Sequence, residues 1–215
     1  MALGLFAATE AAGLLVQYPC ALLARPLIDG KLAYADQWMG FDWPDLYRFI
    51  LGRPQLAAIL QACYQGLLPV CVLVIGCAAM LNPSAARRFT IANAMTLAIA
   101  LAVSALWPAM GPGVYFHAQA IDVSAVDLVA ARAGTMTFHL SGLVTFPSYH
   151  AALALLCALA LPYGPVWVAA GLIVVSAPVF GGHYLVDIVA GLGLAVGCWA
   201  LAGRWARRGG RPLAT

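Results

Sequence analysis

Charged residues are scarce in this sequence. Asp, Glu, Lys and Arg make up 9% of the 215 residues, whereas a soluble domain has about 25% of them. Hydrophobic residues make up 64%, which is more than a soluble protein of this size can keep away from water. The composition therefore excludes a soluble globular domain and predicts an integral membrane protein.

Other signals are also missing. The apolar runs are continuous and rich in Leu and Ala, without the short alternating segments of a membrane β-barrel. The opening stretch Met1–Leu5 lacks the basic region of a signal peptide, so no cleaved signal is expected. The six cysteines lie in apolar runs without CxxC spacing, and we interpret them as small hydrophobic residues rather than as disulfide or zinc ligands. The net charge of +3 comes from scattered basic residues, which do not indicate a nucleic-acid partner.

The apolar runs predict an all-α fold with six transmembrane helices in one bundle, at about 20 residues per span. We treat residues 1–215 as one transmembrane domain. The predicted spans are 3–23, 55–81, 89–107, 146–161, 166–180 and 183–201. Residues 25–53 mix charges with Trp and Tyr, which predicts a segment lying at the membrane interface. Residues 108–145 are the predicted outer loop.

Small and polar residues recur on two of these spans. Such stripes predict faces that are turned to the bundle interior or to a wet cavity rather than to lipid. They are Gln61, Tyr64 and Gln65 on span two, and Asn93, Thr96, Ala100 and Ser104 on span three.

Basic residues predict the orientation of the bundle. Arg87-Arg88 and the arginine-rich tail 204–211 are expected in the cytoplasm. Spans four and six then both begin at the outer face. The expected location is a bacterial inner membrane, crossed several times, with the active site on the periplasmic side.

Two motifs place histidines at that outer face. His183 and Asp187 are four residues apart, a spacing that puts both side chains on one face of a helix. A carboxylate that accepts one ring N–H leaves the other imidazole nitrogen free to act as a nucleophile or base. His150 opens span four, and ionisable residues within spans are functional candidates.

A pair of histidines suits phosphoryl transfer. One ring nitrogen can attack phosphorus while the other histidine protonates the leaving oxygen. The phosphoryl oxygens also need hydrogen-bond donors. Ser148, the backbone N–H groups at the starts of spans four and six, and an arginine are candidates for that role.

These motifs resemble a known family. Phe146-Pro147-Ser148-Tyr149-His150 and the stretch 182–187 are similar to the second and third signature motifs of the phosphatidic acid phosphatase type 2 superfamily. Within it, the stretches 40–43, 142–145 and 181–187 are most similar to the inositol phosphorylceramide synthase-like proteins. The resemblance covers about residues 29–197. It implies a six-helix membrane enzyme that acts on lipids and needs neither a metal nor a cofactor.

The resemblance also implies a role for each motif residue. His183 would be the nucleophile that forms a phosphohistidine, and Asp187 would orient it. His150 would be the acid for the leaving group and then the base for the acceptor. The predicted substrate-binding residues are Ser148, Arg132, Tyr149, Gly182 and Tyr184. The two tyrosines are also interpreted as interfacial anchors.

Two departures from the family pattern concern basic residues. Ser176-Ala177 stands where the third motif has Ser-Arg, and Tyr18 stands where the first motif has a lysine. The phosphate clamp of the lipid phosphatases is therefore missing. Arg132, in the outer loop, is the candidate replacement, and a solvated loop arginine is the alternative interpretation. A phosphodiester carries less charge than a monoester and needs fewer cations, so the departures favour transfer of a phospho-headgroup between lipids.

The sequence thus predicts a membrane lipid phosphotransferase. It would move a phosphoryl or phospho-alcohol group from a phospholipid to a lipid alcohol, such as ceramide or diacylglycerol, or to water. A phosphatase acting on phosphatidate or a polyprenyl phosphate is the alternative among enzymes. A transporter or channel with a buried His/Asp relay is the alternative from another class.

Overall fold

The computed structural model describes residues 1–23, 25–118, 128–130, 132–133 and 144–208, and the side chains of all of these except 206–208. In this part of the chain every regular element is a helix, so the predicted all-α class is confirmed. Most of the predicted outer loop between residues 119 and 143, and the tail after residue 208, lie outside the described residues.

Ten helices have both of their ends within the described residues. In chain order they are α1 (Ala2–Ala21), α2 (Asp29–Trp38), α3 (Trp43–Leu51), α4 (Pro54–Gln65), α5 (Leu67–Leu81), α6 (Pro83–Leu106), α7 (Pro112–Tyr115), α8 (Tyr149–Ala160), α9 (Gly164–Phe180) and α10 (Leu185–Arg208).

Several of these helices have the length or composition of membrane helices. By both criteria α6 and the Leu185–Trp205 part of α10 could each cross a membrane. The pair α4 and α5 adds a third candidate if the two are one broken span, since they are bent by 45°. The apolar helices α8 and α9 are shorter, with 12 and 17 residues. These helices agree with the predicted class of membrane protein.

The predicted second span is divided into two helices. The break falls at Gly66, which ends α4 and precedes α5. Pro69 lies in the first turn of α5, and because proline has no N–H it cannot bond to the carbonyl of Gln65. Pro69 therefore interrupts the helical hydrogen bonds within a continuous apolar run.

The segment between α1 and α4 contains two short helices. Asp42 caps α3 by accepting a hydrogen bond of 2.8 Å from Asp45 N, and Pro44 occupies the first turn. On α2, the rings of Tyr34 and Trp38 are 71% and 83% exposed. Exposed aromatic rings on a short helix are typical of a membrane interface.

The centre of the bundle is α8, which packs against α5, α6, α9 and α10. Four alanines of α8 are fully buried, at positions 151, 152, 154 and 158. Small side chains allow the neighbouring backbones to approach closely. The helix that carries His150 is therefore held on several sides.

The two ends of α10 have different neighbours. Near its end, Trp199 contacts Arg88, which lies near the start of α6. At its start, Leu185 and Val186 contact Asp36 of α2. The arginine cluster at 87–88 and the histidine motif at 183 are therefore at opposite ends of α10.

Candidate active site

His183 lies just before α10 and not on it. The helix begins at Leu185, and Gly182 reaches φ 60°, in the left-handed region that favours glycine. The predicted geometry, with His183 and Asp187 one turn apart on a helix, is therefore wrong. The two side chains nevertheless meet, because His183 Nδ1 lies 3.6 Å from Asp187 Oδ2.

Asp187 is fully buried at the start of α10. Its Oδ2 accepts a hydrogen bond of 2.9 Å from Tyr184 N, as a residue near a helix N-terminus commonly does. Among the described residues, nothing donates to its Oδ1. A buried carboxylate oxygen without a donor is costly, and the contact of the His183 imidazole is with the other oxygen, Oδ2.

His150 occupies the first turn of α8. Its Nε2 lies 3.2 Å from the carbonyl oxygen of Tyr64. Because a carbonyl can only accept, this contact assigns the proton to Nε2 and leaves Nδ1 with a lone pair. The imidazole also stacks on the Tyr64 ring, with centroids 4.2 Å apart and an interplanar angle of 14°.

Tyr64 lies between the two histidine elements. Besides stacking on His150, its ring is adjacent to Gly181: a Cβ at Gly181 would lie 2.7 Å from Tyr64 Cε2 and 2.9 Å from His183 Cδ2. The sequence placed Tyr64 in a polar stripe without a role. The structure makes it the side chain that separates the two predicted catalytic elements.

Both histidines line one cavity of about 890 Å³. Its apolar walls include side chains from α1, α5, α6, α8 and α9. Polar groups also reach it, from Glu10, Gln17, Gln61, Gln65, Thr145 and Tyr149. None of the described residues that line it is a lysine or an arginine. The cavity thus combines a lipid-like wall with two imidazoles and uncharged hydrogen-bonding groups, and Glu10 is the acidic residue on its described surface.

Gly182 and Tyr149 lie at this cavity, as their predicted roles require. The Tyr149 hydroxyl is also held deep in the bundle, 2.6 Å from Glu10 Oε1 and 2.7 Å from Asn93 Oδ1. Asn93 Nδ2 donates to the same Glu10 oxygen at 3.0 Å. These contacts tie α1, α6 and α8 together beside the cavity.

Ser148, Tyr184 and Arg132 are not among the described residues that line the cavity. The hydroxyl of Ser148 caps α8 by accepting from Ala151 N at 3.3 Å. Tyr184 is fully buried, and its hydroxyl donates to Asp29 Oδ1 at 3.1 Å. Arg132 donates to the carbonyl of Arg25 at 2.9 Å, beside an adjoining small pocket. Their predicted contacts with substrate stay predictions.

The backbone N–H groups at the start of α10 are already bonded. Tyr184 N donates to Asp187, and Leu185 N and Val186 N donate to Asp36 at 2.8 and 2.9 Å. The expectation that this helix start supplies donors for phosphoryl oxygens is therefore wrong for these three groups.

These features define a helical membrane protein in which two histidines from separate elements share one cavity, with a buried carboxylate behind one of them. The chain belongs to the PAP2 superfamily, whose family model matches residues 30–201. This is the phosphatidic acid phosphatase type 2 superfamily that the two motifs resemble, and it contains lipid phosphatases and phosphotransferases. Searches of curated proteins and of solved structures each gave no match.

Proposed function

We propose that this chain is a multi-pass membrane enzyme that transfers a phosphoryl or phospho-alcohol group between lipids through a phosphohistidine. The observation that carries the proposal is the shared cavity, which both histidine side chains line although they are 33 residues apart in the chain. An amphiphilic cavity of this size can hold a lipid headgroup together with the first part of its chains.

His183 is the proposed nucleophile. Asp187 lies next to its Nδ1, so Nε2 is the nitrogen that attacks phosphorus. The new P–N bond forms as the bond from phosphorus to the leaving lipid oxygen breaks. Asp187 stabilises the positive charge that develops on the imidazole.

His150 is the proposed acid and base. It gives a proton to the leaving oxygen in the first step and takes the proton of the acceptor hydroxyl in the second, when the P–N bond breaks. Because Nε2 keeps its proton on the Tyr64 carbonyl, Nδ1 is the nitrogen that exchanges this proton. His150 therefore begins the first step doubly protonated, ends it with a lone pair on Nδ1, and regains the Nδ1 proton from the acceptor in the second step.

The charge of the cavity supports a phosphodiester as the donor. The described lining holds no lysine or arginine, and it includes the carboxylate of Glu10. Ala177, which replaces the arginine of the third motif, is fully buried. A monoester near −2 needs more cationic partners than a diester at −1. We infer transfer of a phospho-headgroup to a lipid alcohol, as in the inositol phosphorylceramide synthase-like proteins that the motifs resemble.

We also propose six membrane crossings, made by α1, the α4–α5 pair, α6, α8, α9 and α10. The contact of Arg88 with Trp199 supports the orientation, because it joins the first basic cluster to the end of α10 that leads into the basic tail. The histidines are at the other end of α10, on the proposed periplasmic side of a bacterial inner membrane.

Labelled phospholipid in nanodiscs, with and without ceramide or diacylglycerol, tests the proposed reaction. We expect a new labelled lipid when the alcohol is present, and an acid-labile phosphoenzyme that precedes it. His183→Ala should abolish both. His150→Ala should abolish turnover while the protein still folds.

His117→Asn is the matched histidine control. His117 is exposed and has φ 54°, which asparagine tolerates, so full activity is expected. Release of inorganic phosphate and the dephosphorylated lipid, without transfer of label to the added alcohol, would show a phosphatase instead. Full activity of either alanine variant would remove that histidine from the mechanism.

A further inference from the structure

Two aspartates of α2 are buried although the helix lies in the predicted interfacial segment. Asp29 and Asp36 are 6% and 3% exposed. They are seven residues apart and therefore on one face of the helix. Carboxylates are rarely this buried unless they are hydrogen-bonded, so their partners show what this face of α2 holds.

Asp36 holds the start of α10. Its Oδ2 accepts from Leu185 N at 2.8 Å and its Oδ1 accepts from Val186 N at 2.9 Å. The first N–H groups of a helix have no partner within the helix, and a negative charge is favourable there. Such a cap usually comes from the preceding residues of the same chain segment. Here it comes from a helix about 150 residues earlier.

Asp29 holds the residue next to His183 and the turn before α7. Its carboxylate accepts from the Tyr184 hydroxyl at 3.1 Å, from Gly111 N at 2.9 Å and from Met110 N at 3.1 Å. The N–H groups of the three residues that follow His183 are therefore all bonded to carboxylates. Tyr184 N donates to Asp187, and the next two N–H groups donate to Asp36.

We propose that Asp36, assisted by Asp29, is a positioning residue that holds His183 and Asp187 in line for reaction without touching the substrate. The inference rests on the proposed function. His183 lies outside α10 and has no helical turn around it, so its position depends on the backbone of 184–186. That backbone is bonded to α2 and to Asp187.

Burial and hydrogen bonding act on the Asp36 carboxyl in opposite directions. Burial raises the pKa of its carboxyl, and the N–H groups of Val186 and Leu185 oppose that rise. The outer face of α2, with Tyr34 and Trp38, is exposed. The helix therefore connects the membrane surface to the segment that carries the nucleophile.

Asp36→Asn tests the proposal. The amide oxygen of an asparagine can accept from one of the two N–H groups. Its NH₂ group then faces the other N–H, and because both are donors no hydrogen bond forms there. In single-turnover experiments on wild type and variant, we expect the rate constant of phosphoenzyme formation to fall by roughly 10- to 100-fold. The amplitude should stay unchanged. A variant that merely unfolds would lower the amplitude and leave the rate constant of the remaining active enzyme as in wild type.

Two further variants keep the test decisive. Tyr184→Phe removes only the hydroxyl contact with Asp29 and should slow phosphoenzyme formation less than Asp36→Asn does. Asp42→Asn is the matched control, because Asp42 also caps a helix but lies exposed at the start of α3. Asparagine caps a helix as well as aspartate does, so Asp42→Asn should form the phosphoenzyme with the same rate constant as wild type.

Hydrogen exchange provides a readout that does not depend on the reaction. In Asp36→Asn, the N–H groups of residues 184–186 should exchange at least about tenfold faster than in wild type or in Asp42→Asn. If wild type forms no phosphoenzyme, the proposed function fails and the exchange still decides whether α2 holds this segment. Unchanged exchange, or an unchanged rate constant in a folded Asp36→Asn protein that forms the phosphoenzyme, would overturn the inference.

Discussion

Gly191 determines how closely α10 approaches the start of α8, the helix that carries His150. A Cβ at this position of α10 would lie 2.1 Å from the carbonyl oxygen of Ser148. Ser148 N in turn donates to the carbonyl of Asp187 at 2.9 Å. Because Gly191 has no side chain, the start of α8, which carries His150, can lie directly against the first turns of α10.

Gly191→Ala should separate these two segments. The added methyl group meets backbone rather than a flexible side chain, and overpacking of this kind costs about 1–3 kcal/mol. Because His150 follows Ser148 by two residues, we expect turnover to fall by about tenfold or more in the protein that remains folded. Thermal unfolding in detergent and turnover per folded molecule measure the two effects.

Gly193→Ala is the matched control on the same helix. A Cβ at Gly193 would meet nothing within 4 Å, and alanine favours a helix over glycine by roughly 0.5–1 kcal/mol. This variant should be as active as wild type and equally or more stable. Equal behaviour of the two variants would contradict the close approach at Gly191.

At the scale of helices, Arg88 joins the start of α6 to the last turns of α10. Its Nε donates to the carbonyl of Trp199 at 2.9 Å, and its guanidinium lies 4.2 Å from the centroid of the Trp199 ring. Gly203 leaves room for the guanidinium, which a Cβ there would approach to 2.7 Å. A cation is also favourable near the C-terminus of a helix.

Arg88→Lys should loosen this contact. A lysine keeps the charge but loses the planar group that stacks and donates from a fixed position. We expect a loss of about 1–2 kcal/mol in the free energy of unfolding, measured by thermal or denaturant unfolding in detergent. Turnover per folded molecule should not change, because the histidines are at the other end of α10.

Arg87→Lys is the neighbouring control. Arg87 is exposed, and exchanging one exposed basic residue for another should leave the stability within about 0.5 kcal/mol of wild type. Equal losses in both variants would contradict a specific contribution of the contact between Arg88 and Trp199.

Local patterns in the sequence predicted the all-α class and several of the helices, because apolar runs and their Gly/Pro boundaries determine these features. The spacing of His183 and Asp187 predicted their proximity, but the same spacing fits a residue before the helix as well as one on it. The buried role of Asp36 could not be predicted. Its partners lie about 150 residues away, and a charge beside Trp and Tyr looks interfacial unless those partners are known.

At the scale of the whole molecule, α10 separates a histidine end from an arginine end. Its 24 residues span about 36 Å at 1.5 Å per residue, and the hydrocarbon core of a bilayer is about 30 Å thick. The two ends therefore reach opposite faces if α10 crosses the membrane. Together with the basic residues at the Arg88 end, this supports the proposed position of the cavity near the outer face.

Trp38→Cys and Trp205→Cys form a matched pair that tests this orientation. Trp38 lies on α2 at the histidine end and is 83% exposed, whereas Trp205 lies near the end of α10 and is 64% exposed. In intact spheroplasts, a membrane-impermeant maleimide should label the cysteine at 38 and should reach the one at 205 only after permeabilisation. Wild type gives the background of the native cysteines, none of which is exposed in the described structure. Labelling of both sites from one side would contradict the crossing by α10, and the reverse pattern would place the phosphohistidine chemistry at the cytoplasmic face.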